Sequence, residues 1–291
     1  MIRTVKITNF RGETLTLALD NPWETGLAVT AIKGLGPNKA TINTVEVATD
    51  DGATYNSARV SSRNIVFSIR FVGDDIESCR QKTYKYFALK KPVIIEVITD
   101  NRHLRISGYT ESNEPDIFSS VESTSISIIC PYPFFYSMNE TNTVTFYGEE
   151  PAFEFPFENE SEVPNIEFGI VFAITEANVR YEGDYEVGVI ITIHATGPAK
   201  NVSIHKLDAN ESIQINTELE AGDDIIISTV ARDKYIHRVR SGVTTNILNC
   251  VGKNTKWFLL QEGDNAFAYT AEEGIRNLQF SVKNDILYEG I

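Results

Sequence analysis

Short runs in which polar and apolar residues alternate recur along almost the whole chain, and this period of two most constrains its fold. Successive side chains of a β-strand point to opposite faces, so each run predicts a strand with one buried face. The clearest run, residues 63–72, places four bulky side chains on one side: Ile65, Phe67, Ile69 and Phe71. The pattern predicts a mainly β protein with antiparallel sheets.

One segment of the first half has helical spacing instead. Asp74 is a candidate N-cap, Glu77 follows it at capping-box distance, and apolar residues then recur at helical intervals as far as Phe87. Lys90 and Lys91 suit the C-terminal end of the helix dipole, and Pro92 blocks further helix. We therefore expect a single helix among the strands of this half.

Residues 34–59 predict a long polar hairpin that turns at residues 49–53, where Asp51-Gly52 is a hairpin signal. Alternation in this stretch is weak, so the hairpin has little apolar surface to bury locally. Two-stranded hairpins are marginal in water on their own. We expect this hairpin to pack against another element, such as a second subunit.

A cluster of prolines and aromatic residues, Cys130-Pro131-Tyr132-Pro133-Phe134-Phe135-Tyr136, interrupts strand pairing and marks a domain boundary. We predict a domain over residues 1–136, a β-sandwich-like body with one helix, and a second over residues 137–291. The second half shows no helix. Its predicted strands are residues 166–174, 187–194, 202–206, 212–216, 224–228, 257–260 and 266–269. Such a series of short strands indicates an antiparallel β-sandwich or jelly roll.

Charge divides the chain at the same boundary. Residues 1–136 carry 15 Lys and Arg against 15 Asp and Glu, whereas residues 137–291 carry 11 against 25. The whole net charge of −14 therefore lies in the second half. An acidic body is poorly suited to neutralise phosphates, which argues against nucleic-acid binding there.

The sequence contains no recognisable catalytic or metal-binding motif. None of the four histidines lies in a nucleophile or zinc context, and the three cysteines are far apart. The acidic pairs, of which Asp223-Asp224 is one, are interpreted as solvated surface. We expect no catalytic residues, no metal and no cofactor. The chain also lacks eighteen consecutive apolar residues and a signal-peptide core, so we expect no membrane insertion.

The order of several landmarks resembles the distal tail protein (Dit) family of phages with long non-contractile tails. These landmarks are Gly34-Leu35-Gly36, Asp51-Gly52-x-x-Tyr55-x-Ser57-x-Arg59, Arg63-x-Ile65, Ile106-Ser107-Gly108-Tyr109, the Cys130–Phe135 cluster, Gly183-x-x-x-x-Gly188, Ala195-Thr196-Gly197-Pro198, Leu219-x-x-Gly222-Asp223, Trp257-x-x-Leu260 and Gly263-Asp264-Asn265. Together they cover essentially the whole chain.

The resemblance implies a non-enzymatic virion protein of the tail tip, made in the bacterial host cytoplasm. Its N-terminal domains would form a homo-hexameric ring through which phage DNA passes without sequence-specific binding. The C-terminal domain would be galectin-like or similar to carbohydrate-binding modules. Expected partners are the tail tube protein, the tail-associated lysin or tip protein, and receptor-binding proteins. The candidate subunit-interface residues lie in the hairpin: Asp50, Asp51, Gly52, Tyr55 and Arg59.

Two roles of the second domain remain open at this point. It is either an assembly hub for other tail proteins or a domain that binds host cell-surface saccharide directly. A saccharide platform needs exposed aromatic residues, and the sequence Trp257-Phe258-Leu259-Leu260 suggests that Trp257 lies in the core. We therefore favour the hub.

Overall fold

The chain divides into two compact units, and the division differs from the simple cut that the sequence suggested. A computed structural model describes residues 1–46, 48, 51–151, 169–173 and 176–291. Unit 1 consists of residues 1–140 together with the last five residues, Leu287–Ile291, and unit 2 is residues 141–286. The predicted boundary after Tyr136 lies close to Glu140, where the chain first passes from unit 1 to unit 2. The return of the end of the chain to unit 1 was not predicted.

The described residues of unit 1, with the segment that leaves it, contain ten strands and one α-helix. In chain order they are β1 (Ile2–Thr8), β2 (Thr14–Ala18), β3 (Leu27–Lys33), β4 (Ala40–Glu46), β5 (Ala53–Val60), β6 (Arg63–Phe71), α1 (Ile76–Tyr86), β7 (Pro92–Thr99), β8 (His103–Asp116), β9 (Ser123–Cys130) and β10 (Phe135–Thr145). A short 3-10 turn, Pro22–Glu24, precedes β3.

Seven of these strands form one antiparallel sheet in the order β3-β6-β9-β8-β7-β1-β2. Strand β8 turns the corner of this sheet, because its first part pairs with β7 and its second part with β9. Gly108 lies at the change of partner, where a Cβ atom would come within 2.9 Å of the Ile129 carbonyl oxygen and 2.7 Å of Ile128. Only glycine permits this close approach.

The core of unit 1 consists of the alternating apolar residues that the sequence pattern predicts. All four residues of the clearest run, on strand β6, are buried. They pack with the inward residues of β1, β7, β8 and β9 and with Phe87, which follows the helix. Partly buried residues from the end of the chain, Tyr288 and Ile291, pack against the same core.

Helix α1 confirms the predicted helix but differs at both ends. Asp75, not Asp74, is the N-cap, because its side chain accepts a hydrogen bond from the Ser78 N–H at 3.1 Å. The helix ends at Tyr86, four residues before Lys90, since Phe87 leaves the helical path to enter the core. In the part of the chain that the structure describes, no helix is long and apolar enough to cross a membrane.

The described residues of unit 2 form two larger antiparallel sheets and a separate two-stranded ribbon. In chain order its strands are β11 (Tyr147–Pro151), β12 (Gly169–Ala173), β13 (Glu176–Tyr181), β14 (Val189–Ala195), β15 (Ala199–Lys206), β16 (Glu211–Leu219), β17 (Asp224–Ser228), β18 (Tyr235–Arg240), β19 (Val243–Asn246), β20 (Gly263–Glu273) and β21 (Leu278–Tyr288). Short 3-10 turns lie at Leu248–Cys250 and Ile275–Asn277. Strands β11 and β12 form a separate ribbon.

The two sheets of unit 2 have the orders β13-β20-β15-β16 and β19-β18-β17-β14-β21. Tyr269 of the first sheet stacks on Phe280 of the second, with ring centroids 3.7 Å apart, so the sheets share a core. This arrangement confirms the predicted antiparallel β-sandwich. Two details differ: residues 257–260 form only an isolated bridge at Leu260, and the predicted strand 166–174 is described only as Gly169–Ala173.

Candidate functional site

The hairpin of β4 and β5 is the part of unit 1 that has the least internal support. Within the described residues, these two strands pair with each other and with no other strand. Every residue of β4 is exposed, and so is every residue of β5 except Val60, which is half-buried. The exposed residues include large apolar ones, with Ile42 62% and Tyr55 64% accessible. The hairpin therefore carries apolar surface that its own unit does not cover.

A β-bulge at Asn56 sorts the hairpin into two different faces. Asn43 pairs with Ser57 but the next residue of β4, Thr44, pairs with Tyr55, so Asn56 is left without a cross-strand partner. Directly opposed residues share a face of a sheet. The bulge therefore turns Tyr55 to the side of Ile42 and Ala58. We call this side the apolar face of the hairpin; it consists of Ala40, Ile42, Thr44, Tyr55, Ala58 and Val60, with Glu46 and Ala53 at the end near the tip.

The opposite face of the hairpin is more polar. The register places Thr41, Asn43, Ser57 and Arg59 there, and Asn43 donates a hydrogen bond to the Ser57 hydroxyl at 3.0 Å. Val45 is the large apolar residue of this side and is 53% exposed. The two faces therefore offer different surfaces to a partner.

The sequence-predicted interface residues do not form a single cluster. Asp51 and Gly52 lie at the tip, where Gly52 adopts a φ of 96° that favours glycine. Tyr55 lies on the apolar face, and Arg59 pairs with Thr41 on the polar face. Asp50 lies outside the described residues.

The root of the hairpin contains a residue that sequence reasoning used only as a landmark. Arg63 is 1% exposed, although only two residues separate it from the end of the exposed strand β5. Its Nε donates to the Pro133 carbonyl at 2.6 Å, and its guanidinium carbon lies 4.7 Å from the centre of the Phe135 ring. Burial lowers the pKa of this guanidinium from its ordinary value.

The remaining donors of Arg63 hold the hairpin root and the end of the chain together. Nη1 donates to the carbonyls of Gly34 and Gly36, at 2.6 and 2.5 Å, and Nη2 donates to that of Glu289 at 2.5 Å. Next to them, the Ile291 N–H donates to the Leu35 carbonyl at 3.1 Å. A sequence pattern offers no signal for this cluster, because Arg63 and Glu289 alone are 226 residues apart.

Several titratable groups elsewhere in the described residues have ion-pair or hydrogen-bond partners. His194 Nδ1 lies 2.7 Å from Asp224 Oδ1, as a strand-end histidine with a hydrogen-bond partner would. Asp223, interpreted above as solvated, is instead buried against Arg240, so that interpretation was wrong. Within the described ranges, no group of three His, Cys, Asp or Glu residues is arranged to hold a metal ion.

Trp257 is half-buried and is not a core residue, contrary to the expectation from its sequence context. Phe258 and Leu260 point into the core instead. The Lys234 ammonium lies 5.6 Å from the centre of the Trp257 ring. A cation at this distance contributes a cation–π interaction and occupies part of the surface that a sugar ring would need.

Comparisons with known proteins find a matching family model and similar solved structures. Residues 182–283 match the family model of the siphovirus-type tail component, C-terminal domain. The fold is similar to the crystal structure of SPP1 Dit (gp 19.1), described as a paradigm of the hub adsorption apparatus in phages that infect Gram-positive bacteria. The TM-score is 0.65 at 11% identity, over 97% of this chain and 98% of that chain.

A second solved structure is more distant. The baseplate of phage P2 in its activated conformation with calcium contains a chain with a TM-score of 0.48 and 12% identity, over 97% of this chain and 98% of that chain. None of the curated protein sequences matches. The domain match confirms the resemblance over residues 182–283. The similarity to SPP1 Dit shows that the two chains share a fold.

Proposed function

Residues 182–283 belong to the siphovirus-type tail component C-terminal domain family, and from this premise we propose that the chain is a structural protein of a phage tail tip. It works in the virion as a hub between the tail tube and the host-adhesion device. The fold shared with SPP1 Dit over nearly the whole chain supports this role for both units.

Unit 1 is the ring-forming unit in this proposal, and six copies enclose a channel for phage DNA. The single observation that carries the proposal is the hairpin of β4 and β5, whose apolar face is exposed in the isolated chain. Full burial of one isoleucine side chain contributes about 1.5–3 kcal/mol. The apolar face therefore gains substantial stabilisation when it packs on a neighbouring copy.

A contact of this kind is heterologous, because the hairpin of one copy covers a different surface of the next. Heterologous contacts generate closed rings when the rotation between copies closes. This geometry connects the exposed hairpin to a hexameric ring. The polar face of the hairpin would then remain toward solvent or toward another tail protein.

Unit 2 docks the other tail proteins in this proposal. Its acidic surface favours partners with basic patches, since complementary charge speeds encounter and suppresses wrong partners. The alternative, direct binding of host saccharide, draws no support from Trp257, which is half-buried and has the Lys234 ammonium over its ring. Binding of purified host glycans to the isolated protein would support that alternative.

Multi-angle light scattering over a concentration series tests the ring. We expect hexamers that dissociate on dilution, and Ile42→Ser should shift the equilibrium strongly toward monomer. Val45→Ser is the matched control, because it removes an exposed apolar side chain from the opposite face. A wild-type protein that stays monomeric at high concentration and fails to join tail proteins would contradict the proposal. Equal effects of the two variants would contradict the role of the apolar face.

A further inference from the structure

The two ends of the hairpin meet at one side chain. The chain enters the hairpin through Gly34–Gly36 and leaves it through Ser61-Ser62 into Arg63. Asn38 joins the two strands at this level, since its amide donates to the Ser61 carbonyl at 2.7 Å. The Arg63 fork then donates back to Gly34 and Gly36 on the entering side. The hairpin is thus closed at its root by a buried cation.

The cation at the root depends on acceptors from outside the hairpin. Two of its four carbonyl partners, Pro133 and Glu289, belong to the segment before β10 and to the last five residues. A guanidinium that is removed from water needs its donors satisfied, because an unpaired buried donor is costly. Removal of the Glu289 carbonyl therefore leaves Arg63 with an incomplete set of acceptors.

The end of the chain also fits closely against the entering segment. A Cβ atom on Gly290 would lie 3.2 Å from the Leu35 carbonyl oxygen and 3.2 Å from the Gly36 carbonyl carbon. The Ile291 N–H bonds to the Leu35 carbonyl. Gly290 and Ile291 thus lie against the entering segment, while the Glu289 carbonyl accepts from Arg63.

We infer that Arg63 is a positioning residue for the assembly hairpin and that residues 289–291 complete its site. The docked chain end and the arginine fork together fix the direction in which the hairpin leaves unit 1. This inference rests on the assembly role proposed above. It adds that the hairpin is oriented for contact with a neighbouring subunit only when residues 289–291 are bound at its root.

A distance measurement between two spin labels tests this directly. One label is placed on the hairpin by Thr54→Cys and one on the sheet by Ser125→Cys, both at exposed positions, with Cys250→Ser to remove the accessible native thiol. The sample is diluted until it is monomeric, so the result does not depend on ring formation. We expect a single narrow distance distribution in the otherwise unchanged chain.

Two variants disturb the site in different ways. Arg63→Lys keeps the positive charge but replaces the planar fork with a compact ammonium that cannot reach four carbonyls. Truncation after Tyr288 keeps Arg63 and removes one of its acceptors. We expect each to broaden the distance distribution at least about twofold, because the root opens locally while the rest of unit 1 stays folded. Arg59→Met, at an exposed position on the hairpin, is the matched control and should leave the width unchanged.

The outcomes are distinguishable. Unchanged widths in both variants would overturn the inference, and so would loss of the cooperative thermal transition in both, since Arg63 would then hold the whole unit rather than the hairpin. If only one variant unfolds, the width of the distance distribution in the other variant tests the inference. A wild-type chain that never forms rings contradicts the proposed function but leaves this measurement valid.

Discussion

The Arg240 guanidinium binds both carboxylate oxygens of Asp223, with Nε 2.7 Å from Oδ1 and Nη2 2.5 Å from Oδ2. Asp223 is 1% exposed, and its carboxylate also accepts a hydrogen bond from the Glu220 N–H at 2.9 Å. The turn between β16 and β17 is therefore held by a bidentate ion pair to β18. The Arg240 guanidinium lowers the pKa of Asp223 below its usual value.

We predict that this pair makes unit 2 sensitive to acid. A carboxylate with a depressed pKa in the folded state contributes stability that is present above its unfolded pKa and is lost as pH falls through the folded pKa. Asp223→Asn should therefore lower the free energy of unfolding by about 1–2 kcal/mol at neutral pH. The difference from wild type should shrink below pH 3.8, the ordinary pKa of aspartate. Urea titrations of both proteins at several pH values measure this difference in the free energy of unfolding.

Glu218→Gln is the control for this prediction, because Glu218 is largely exposed and its nearest cation, Lys200, is 3.8 Å away. It should change the stability little at any pH. A loss of stability in Asp223→Asn that is the same at pH 3 and pH 7 would contradict the assignment to a charged pair.

Gly108 should not tolerate a side chain. Gly108→Ala would bring a Cβ against Ile128 and the Ile129 carbonyl at the corner of β8, and we expect a loss of about 1–3 kcal/mol in the stability of unit 1. Gly36→Ala is the matched control, since its Cβ would meet nothing within 4 Å. Thermal unfolding of both variants measures the effect, and equal melting temperatures would contradict the crowding at the corner.

The three cysteines should differ in reactivity. Burial raises the pKa of the Cys130 thiol to about 12, and the thiolate is the reactive form. Cys79 is buried as well, whereas Cys250 is partly accessible. Iodoacetamide followed by peptide mass spectrometry should therefore label Cys250 in the native protein and reach Cys130 only in denaturant. Early labelling of Cys130 would mean that the end of β9 opens readily.

Unit 2 should fold as a fragment, whereas unit 1 should need the end of the chain. We expect residues 141–286 to unfold cooperatively alone. Residues 1–140 joined by a Gly-Ser linker to residues 287–291 should be more stable than residues 1–140 by about 1–3 kcal/mol, because Arg63 regains the Glu289 carbonyl. A scrambled five-residue segment is the control. Equal stability of the true and scrambled segments would contradict specific docking.

The sequence predicted the elements better than their connections. The alternation in residues 63–72 predicted β6 and its buried face, because strand period and burial are local properties. The predicted N-cap, Asp74, was wrong by one residue. Both Asp74 and Asp75 precede the helix, and only the fold determines which side chain accepts the hydrogen bond from the Ser78 N–H.

The candidate site was predictable only in part. The Asp51-Gly52 turn and the weak alternation around it indicated an unsupported hairpin, and the structure has it. The bulge at Asn56 was not predictable, because an extra residue is defined only by the pairing register, and it changes the face on which Tyr55 lies. The role of Arg63 depends on Glu289, far away in sequence, so no local pattern could indicate it.

The return of Leu287–Ile291 to unit 1 makes unit 2 an insertion within the first unit's chain. Both of its covalent junctions, after Glu140 and before Leu287, are strand segments. Exchange of whole modules is commonly tolerated where the junctions of an inserted domain are kept. With the function proposed above, recombination between these two points would replace the docking module while Arg63 and the chain end continue to hold the same hairpin.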